Sequence, residues 1–583
     1  MNCYYRSGSM LLLITIFKRK YKSHIYFFVL ILFTLMTTGM GLLGGESSWP
    51  DESRHAMDGV YFVDIMKDLP FSNLYNYTEQ YYAKYPALSL AWYPPLFAIT
   101  EAIFYSLFGI SIYTARLTVV FFALLGVSIW YMLVRKIYNR EVAFYSGLLF
   151  ISTPLIFYWS HSVMLEIPTL AMILLCFFCF YNYFELFKKK YAYYLALSIS
   201  GALLTKQIAA FILPVFLSYI LIGKKYKMLI KQECIISYFI LALFLIPLIG
   251  FNINFGTLGI SATVGEFSGK IKGDIVEQWI HYLRYLPNNI ITWPVLLLAV
   301  VSIVFILIKK NDKGKSLLFF LWIFWWYICF SYISGSVREI VQYGEYYGIL
   351  VIPPFCLFAV LSLNALKNRL RNTLLNKFIP FFVFIAIIIY QITLSYNAKI
   401  YYLPNVYEKA AKFVCQSPKG LTTFVCANYD GNFIFHLKKY DVDRKMIVLR
   451  ADKIFVSLAV HEKYGVIPHI SDENEIHNIL KKYCTGYIIV EDKILGELIN
   501  IKAIEMFRNI LDSGHFTLIR HIKSEDNVVN NKFGFFHQRI RDISIKIYEY
   551  NNRSSPQPDD ELVIPFPHMG REIRIPLKVI VDN

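Results

Sequence analysis

Asp51 and Glu52 stand a few residues beyond the first long apolar run, in Trp49-Pro50-Asp51-Glu52-Ser53-Arg54. A carboxylate at a membrane surface is well placed to take a proton from a hydroxyl that is about to act as a nucleophile. Ionisable groups at membrane depth are costly and tend to be functional. A second acid, Glu166, opens an otherwise uncharged stretch in Ser160-His161-Ser162-Val163-Met164-Leu165-Glu166-Ile167-Pro168. It calls for a cation, a metal or a polar cavity, or else for the N–H groups of a helix start. His161 is a candidate ligand there, although a His at a turn is more often plain polar surface. Lys206, in Leu203-Leu204-Thr205-Lys206-Gln207, is the only basic residue between Lys190 and Lys224. Arg54, Arg116 and Arg338 are further isolated cations. Such cations beside acids suit an anionic headgroup such as a phosphate; the plainer alternative is snorkelling to the interface. Asp58, Asp64 and Asp68 read as solvated acids of the same loop.

These groups must be held by membrane helices. The chain has 583 residues, 56% of them hydrophobic and 17% aromatic, with a mean hydropathy of +0.46. Soluble domains are nearer 45–50% apolar, and apolar runs long enough to span a bilayer recur between residues 24 and 396. The net charge of +17 sits largely in short loops between these runs, so it sets orientation and does not point to nucleic acid. Basic loops around Arg135–Arg140, Lys188–Lys190, Lys224–Lys231, Lys309–Lys315 and Lys367–Lys377 alternate with loops poor in Lys and Arg. All five fall on the cytoplasmic side, with the basic 1–23 segment, only if the short stretch Leu96–Phe108 lies flat at the interface. The expected fold is a polytopic α-helical membrane protein of about eleven transmembrane helices plus one interfacial helix. The first outer loop is then 45–95, and the membrane unit is 24–396.

Residues 397–583 alternate strand-like runs (Thr422–Cys426, Met446–Leu449, Tyr487–Val490, Phe516–Ile519, Ile543–Tyr550) with helical ones (Val406–Cys415, Glu475–Tyr483). This predicts an extracytoplasmic α/β domain, its last thirty residues forming loop and edge structure. It carries no nucleotide-binding, zinc-protease or serine-hydrolase motif. Cys176-Phe-Phe-Cys179 sits in an apolar run and reads as two small core residues. A Cys415–Cys426 bridge is left open.

Taken in order, the motifs resemble those of the GT-C superfamily of membrane glycosyltransferases, within it the protein O-mannosyltransferases and the lipid A aminoarabinose transferases. The likeness runs through Asp51-Glu52-Ser53-Arg54, Trp92-Tyr93-Pro94-Pro95-Leu96, Leu107-Phe108-Gly109, Arg116, Met164-Leu165-Glu166-Ile167-Pro168, Leu204-Thr205-Lys206 and Tyr346-Tyr347 before Pro353-Pro354. It implies an inverting transfer of a sugar from a polyprenyl (dolichyl or undecaprenyl) phosphate to a hydroxyl on a protein, lipid or glycan. Asp51 would be the base, and Glu52 beside it would orient substrate or hold a divalent cation. Arg54, Lys206, Arg338 and Arg116 would hold the lipid phosphate. Glu166, His161, Tyr346 and Tyr347 would contact substrate or a cation. The aminoarabinose branch usually has Glu-Lys before the Pro-Pro; Trp92-Tyr93 stands there here. No cofactor is required by this reading, which leaves room for a divalent cation at Glu166. A multi-pass location in a bacterial inner membrane, with the site facing the periplasm, is expected. A transporter or flippase of lipid-linked sugars is the alternative, and a non-catalytic membrane scaffold is a third.

Overall fold

The computed structural model describes residues 24–577 apart from 91, 255–274, 309–312, 336–343, 371–373, 398–401, 459–465, 494–497, 499, 525–542, 554–559 and 567–570. Six of the described helices are long and apolar enough to cross a bilayer, among them α5 (Ile112–Ile137) and α8 (Glu166–Phe184). Shorter apolar helices accompany them, including α1 (His24–Gly39) and α4 (Leu96–Phe108). The later helices Gln232–Asn254 and Leu374–Asn397 keep large apolar side chains such as Phe239, Ile246 and Phe382 exposed. Their backbone polar groups are satisfied within the helix, so this surface suits lipid.

The stretch between α1 and α4, read as the first outer loop, is itself largely helical. It folds as α2 (Pro50–Asp68) and α3 (Leu74–Lys84). The sequence rules for helix starts account for α2: Pro50 takes the first position, where no N–H is needed, and Glu52 at the third accepts from the Trp49 backbone N–H at 3.2 Å. The helix α4 has one buried stripe, Phe97, Ala98, Glu101, Ala102 and Tyr105, while Ile99, Ile103, Leu107 and Phe108 are exposed. That stripe packs on α2.

Val406–Gln416 opens the C-terminal part, which is built on a five-stranded sheet of order β2-β1-β5-β7-β6. Here β1 is Thr422–Cys426, β2 Ile447–Arg450, β5 Thr485–Glu491, β6 Phe516–Lys523 and β7 Ser544–Tyr550, while β3 (Val456–Leu458) and β4 (Val466–Pro468) form a separate antiparallel pair. The pairs β1–β2 and β1–β5 are parallel; β5–β7 and β7–β6 are antiparallel. Both faces are covered. Val425, Val448, Ile489 and Ile547 point into one core, continuous with the membrane helices. Phe424, Leu449, Ile488 and Val490 point into another, shared with helices Glu473–Lys482 and Lys502–Ile510. Near its end the chain adds an antiparallel pair, Glu561–Phe566 with Arg571–Pro576, rather than loop alone. Cys176 and Cys179 are buried in the core of α8, as their apolar context predicted, and Cys415 and Cys426 are unbridged.

The two ends of the membrane unit are sewn together. Glu46, just after α1, and Leu403, after the last apolar helix, exchange backbone hydrogen bonds of 2.8 and 2.9 Å. The C-terminal part therefore sits over the same end of the bundle as α2. Arg135 and Lys136 close the 26-residue α5 about 39 Å away at 1.5 Å per residue, at the opposite end.

Candidate active site

Asp51 and Glu52 are neighbours in the first turn of α2 but face different ways. The Asp51 side chain is 45% exposed and accepts from Arg54 Nη1 at 3.3 Å. Glu52 is 1% exposed. One of its oxygens caps Trp49 and the other accepts from the Val163 backbone N–H at 2.9 Å. Burial pushes its carboxyl up, against the lowering influence of Arg116 and these N–H donors. Glu52 thus links the start of α2 to the turn that leads into α8 and faces away from Asp51, beside which it had been expected.

That link sets the second pair of groups. Three residues after Val163, Glu166 begins α8, and its Oε1 accepts from Lys206 Nζ at 2.6 Å. Lys206 stands where α9 (Lys190–Thr205) breaks into a short 3₁₀ turn, its backbone extended. Both partners are buried, 3% and 7% exposed. Two tyrosine rings flank the ammonium: Tyr93 with its centroid at 5.8 Å and Tyr347 at 5.6 Å. Asp51 is close enough to act electrostatically on Lys206, His55 and Tyr93. Five elements distant in sequence thus supply an acid, a buried cation with its counter-acid, and two aromatic walls. The second oxygen of Glu166 is buried with no hydrogen-bond partner among the described residues. A hydroxyl donor of a bound ligand could satisfy it, and an orphaned buried acceptor is otherwise costly.

Other expected positions lie differently. Arg116, 1% exposed, donates to the carbonyls of Gly44 (3.0 Å) and Gly45 (2.7 Å) and stacks on Tyr402 with its carbon 3.9 Å from the ring centroid. Its guanidinium fastens the end of α1 to α5, where phosphate binding had been expected. His161 is buried, and its Nδ1 bonds the Phe157 carbonyl at 2.6 Å. Burial lowers it to about 4, so the ring is neutral. Glu166 has Lys206 as its partner, and among the described residues no cluster of three His, Cys, Asp or Glu has metal-binding geometry. Arg338 and the Tyr346 side chain lie outside the described residues.

Two of the three acids taken as solvated are not. Asp58 and Asp64 are 3% and 1% exposed, and only Asp68 lies near the surface. One turn beyond Asp51, His55 Nδ1 lies 3.4 Å from Ser89 Oγ and its ring meets Tyr93 edge-on at 4.7 Å. Asp58 accepts from both the Ser89 N–H (2.8 Å) and the Ser89 hydroxyl. Burial lowers His55 to about 4 and raises Asp58 to about 7. The spacing 51, 55, 58 is one helical face. Recognising α2 as a helix was the signal needed to find it. Glu101 is a further buried acid, on the inner stripe of α4, with neither oxygen hydrogen-bonded among the described residues.

A family model described as dolichyl-phosphate-mannose-protein mannosyltransferase matches residues 93–251. No curated protein matches by sequence. Among solved structures, ArnT from Cupriavidus metallidurans bound to undecaprenyl phosphate superposes with a TM-score of 0.59 at 12% identity, covering 89% of this chain and 97% of that one. The oligosaccharyltransferase of Archaeoglobus fulgidus, in complex with Zn and sulfate, gives a TM-score of 0.51 at 11% identity, covering 80% of this chain and 68% of that one. At such identities the structures establish a shared fold. With the motif order along the first 360 residues, they bear out the resemblance to the GT-C membrane glycosyltransferases: residues 93–251 match the mannosyltransferase model, and the chain shares the fold of ArnT and of the archaeal oligosaccharyltransferase.

Proposed function

We propose that this chain moves a sugar from a polyprenyl phosphate to a hydroxyl acceptor, with inversion, on the membrane face where the C-terminal domain lies. The single observation that carries the reading is the buried Lys206–Glu166 pair within electrostatic reach of the exposed Asp51. In this mechanism Asp51 takes the proton of the acceptor hydroxyl as its oxygen attacks the anomeric carbon. The bond from that carbon to the phosphate oxygen breaks on the opposite side, and the lipid phosphate leaves with an added negative charge. A fixed ammonium at Lys206 stabilises that charge more in the transition state than in the ground state, which accelerates the step. Arg54, shared with Asp51, is a second cation for it. The open oxygen of Glu166 accepts from a sugar hydroxyl, and Tyr93 and Tyr347 wall the sugar.

The membrane unit 24–396 then has eleven spans with α4 at the interface, and 397–583 is an extracytoplasmic domain. The basic loop at the far end of α5 supports this orientation through the positive-inside rule. A bacterial inner membrane with the site facing the periplasm suits such a layout, and a similar structure bound to undecaprenyl phosphate supports a lipid phosphate as the leaving group. The transport reading draws no support from the matched family. The test is Asp51→Asn and Lys206→Ala in membranes supplied with polyprenyl-phosphate sugar. Both should insert and abolish transfer; near-normal turnover in either refutes the role. Protease added to spheroplasts should trim the C-terminal domain, and protection there reverses the topology.

A further inference from the structure

The carboxyl ends of adjacent parallel strands are where open α/β sheets usually present their functional groups. In this protein the ends of β1 and β2 are turned onto α2. The helix Asp430–Tyr440 follows β1 and begins with Asp430, 4% exposed. Arg450 ends β2, and Asp452 follows it. Arg450 Nε lies 2.5 Å from Asp430 Oδ2, its Nη2 donates to Asp452 at 2.6 Å, and its Nη1 donates to the Pro86 carbonyl at 2.9 Å. Lys453 also acts electrostatically on Asp452, and the other oxygen of Asp430 faces Arg54 Nη2 at 3.9 Å. Arg54 in turn bonds Asp51. The charges therefore alternate in an unbroken row: Asp51, Arg54, Asp430, Arg450, Asp452.

The approach is built in by a second device. A Cβ on Gly431 would sit 2.3 Å from Ser53 Oγ and 3.9 Å from Arg54 Cγ, so only glycine lets this helix start come so close to the first turn of α2. Asn432 adds a hydrogen bond to the Ser47 carbonyl at 2.8 Å. Three consecutive residues of the C-terminal domain thus grip the segment that carries Asp51.

We propose that Asp430, held by Arg450, is a positioning residue for sugar transfer: it draws Arg54 partly off Asp51 and fixes the guanidinium where the leaving phosphate departs. The C-terminal domain then completes the site and is more than a lid or a docking module. This rests on the glycosyl-transfer reading above. Without Asp430 the Arg54 side chain, 24% exposed, collapses onto Asp51 or swings into solvent. Either movement takes the guanidinium out of place, and a misplacement of about 1 Å costs about a hundredfold in rate.

The experiment uses the full chain in membranes, with the lipid extract of its native cells as donor source and release of free polyprenyl phosphate read by mass spectrometry. Asp430→Asn should lower turnover at saturating donor about 10²-fold and leave the half-saturating donor level within about twofold. Asp430→Glu should recover most of that loss. In parallel, the rate at which hydroxyphenylglyoxal modifies Arg54, read on its peptide, should rise several-fold in Asp430→Asn. Wild-type turnover with unchanged Arg54 reactivity overturns the proposal. So does a loss that Asp430→Glu fails to recover while Arg54 stays protected, since that marks a purely structural role. Asp51→Asn runs beside these variants. If it still releases polyprenyl phosphate, the transfer reading has failed, and Arg54 reactivity alone still decides whether Asp430 holds that side chain.

Discussion

Replacing Lys206 by Met separates a pair that holds the fold from a pair that does chemistry. At 2.6 Å and an effective dielectric of about 20, the gross attraction between Lys206 and Glu166 is about 6 kcal/mol. Much of this offsets the desolvation of two buried ions, so the pair's net worth to stability is small. Removing one member leaves the other as an uncompensated buried charge, at a cost of about 3–5 kcal/mol. Lys206→Met alone should therefore melt well below the wild type. Glu166→Gln/Lys206→Met together bury no charge and should recover most of that stability. Turnover is expected to behave otherwise. The leaving phosphate has lost its fixed cation in both, so each should fall by about 10²–10³, the size of one preorganised electrostatic partner. Thermal unfolding in detergent, followed by tryptophan fluorescence, gives the first quantity. Release of polyprenyl phosphate at saturating donor gives the second. A double variant that regains turnover together with stability refutes the electrostatic role and leaves the pair a structural fastening.

Glu52→Ala removes the acceptor of two backbone N–H groups, Trp49 and Val163, and should cost about 2–4 kcal/mol. It should also lower turnover, because the first turn of α2 loses its register on α8; unchanged melting would dismiss the link. Asp58 and His55 oppose each other in pH dependence. Asp58 is raised from 3.8 to about 7 by burial, so its contribution is present below pH 3.8 and is lost as pH rises through 7. His55 is lowered from 6.5 to about 4 by burial, so its contribution is present above pH 6.5 and is lost as pH falls through 4. Relative to wild type, Asp58→Asn should therefore lose stability as pH falls from about 7 to 3.8, and His55→Gln should lose it as pH rises from about 4 to 6.5. Each effect is at most about 3–4 kcal/mol, and melting curves parallel to wild type across this range would rule both out. Arg116→Lys breaks the fork on Gly44 and Gly45 and should cost about 1–2 kcal/mol with unchanged half-saturation by donor. A large rise in half-saturation would restore Arg116 to phosphate binding.

Much of this protein was legible along the chain because a bilayer imposes one-dimensional rules. Hydrocarbon demands long apolar runs, so the helices around 112–137, 166–184 and 190–205 and the short helix Leu96–Phe108 follow from order alone. The core strands of the C-terminal sheet were readable for a similar reason, since Val, Ile and Tyr buried on both faces give continuous apolar runs. Asp51, Glu166 and Lys206 stood out as charges where charge is expensive. What each charge does was decided only in three dimensions. Sequence adjacency made Asp51 and Glu52 look like one unit, yet side chains one residue apart on a helix diverge by about 100°, so one reaches the surface and the other ties α2 to α8. Arg116 and Lys206 looked alike as isolated cations; one meets two carbonyl oxygens and the other a buried carboxylate. Asp430 and Arg450 gave no signal at all, because nothing in a chain announces which residues some 380 positions apart will meet. Long-range pairing is a property of packing, and packing is settled by the whole fold at once.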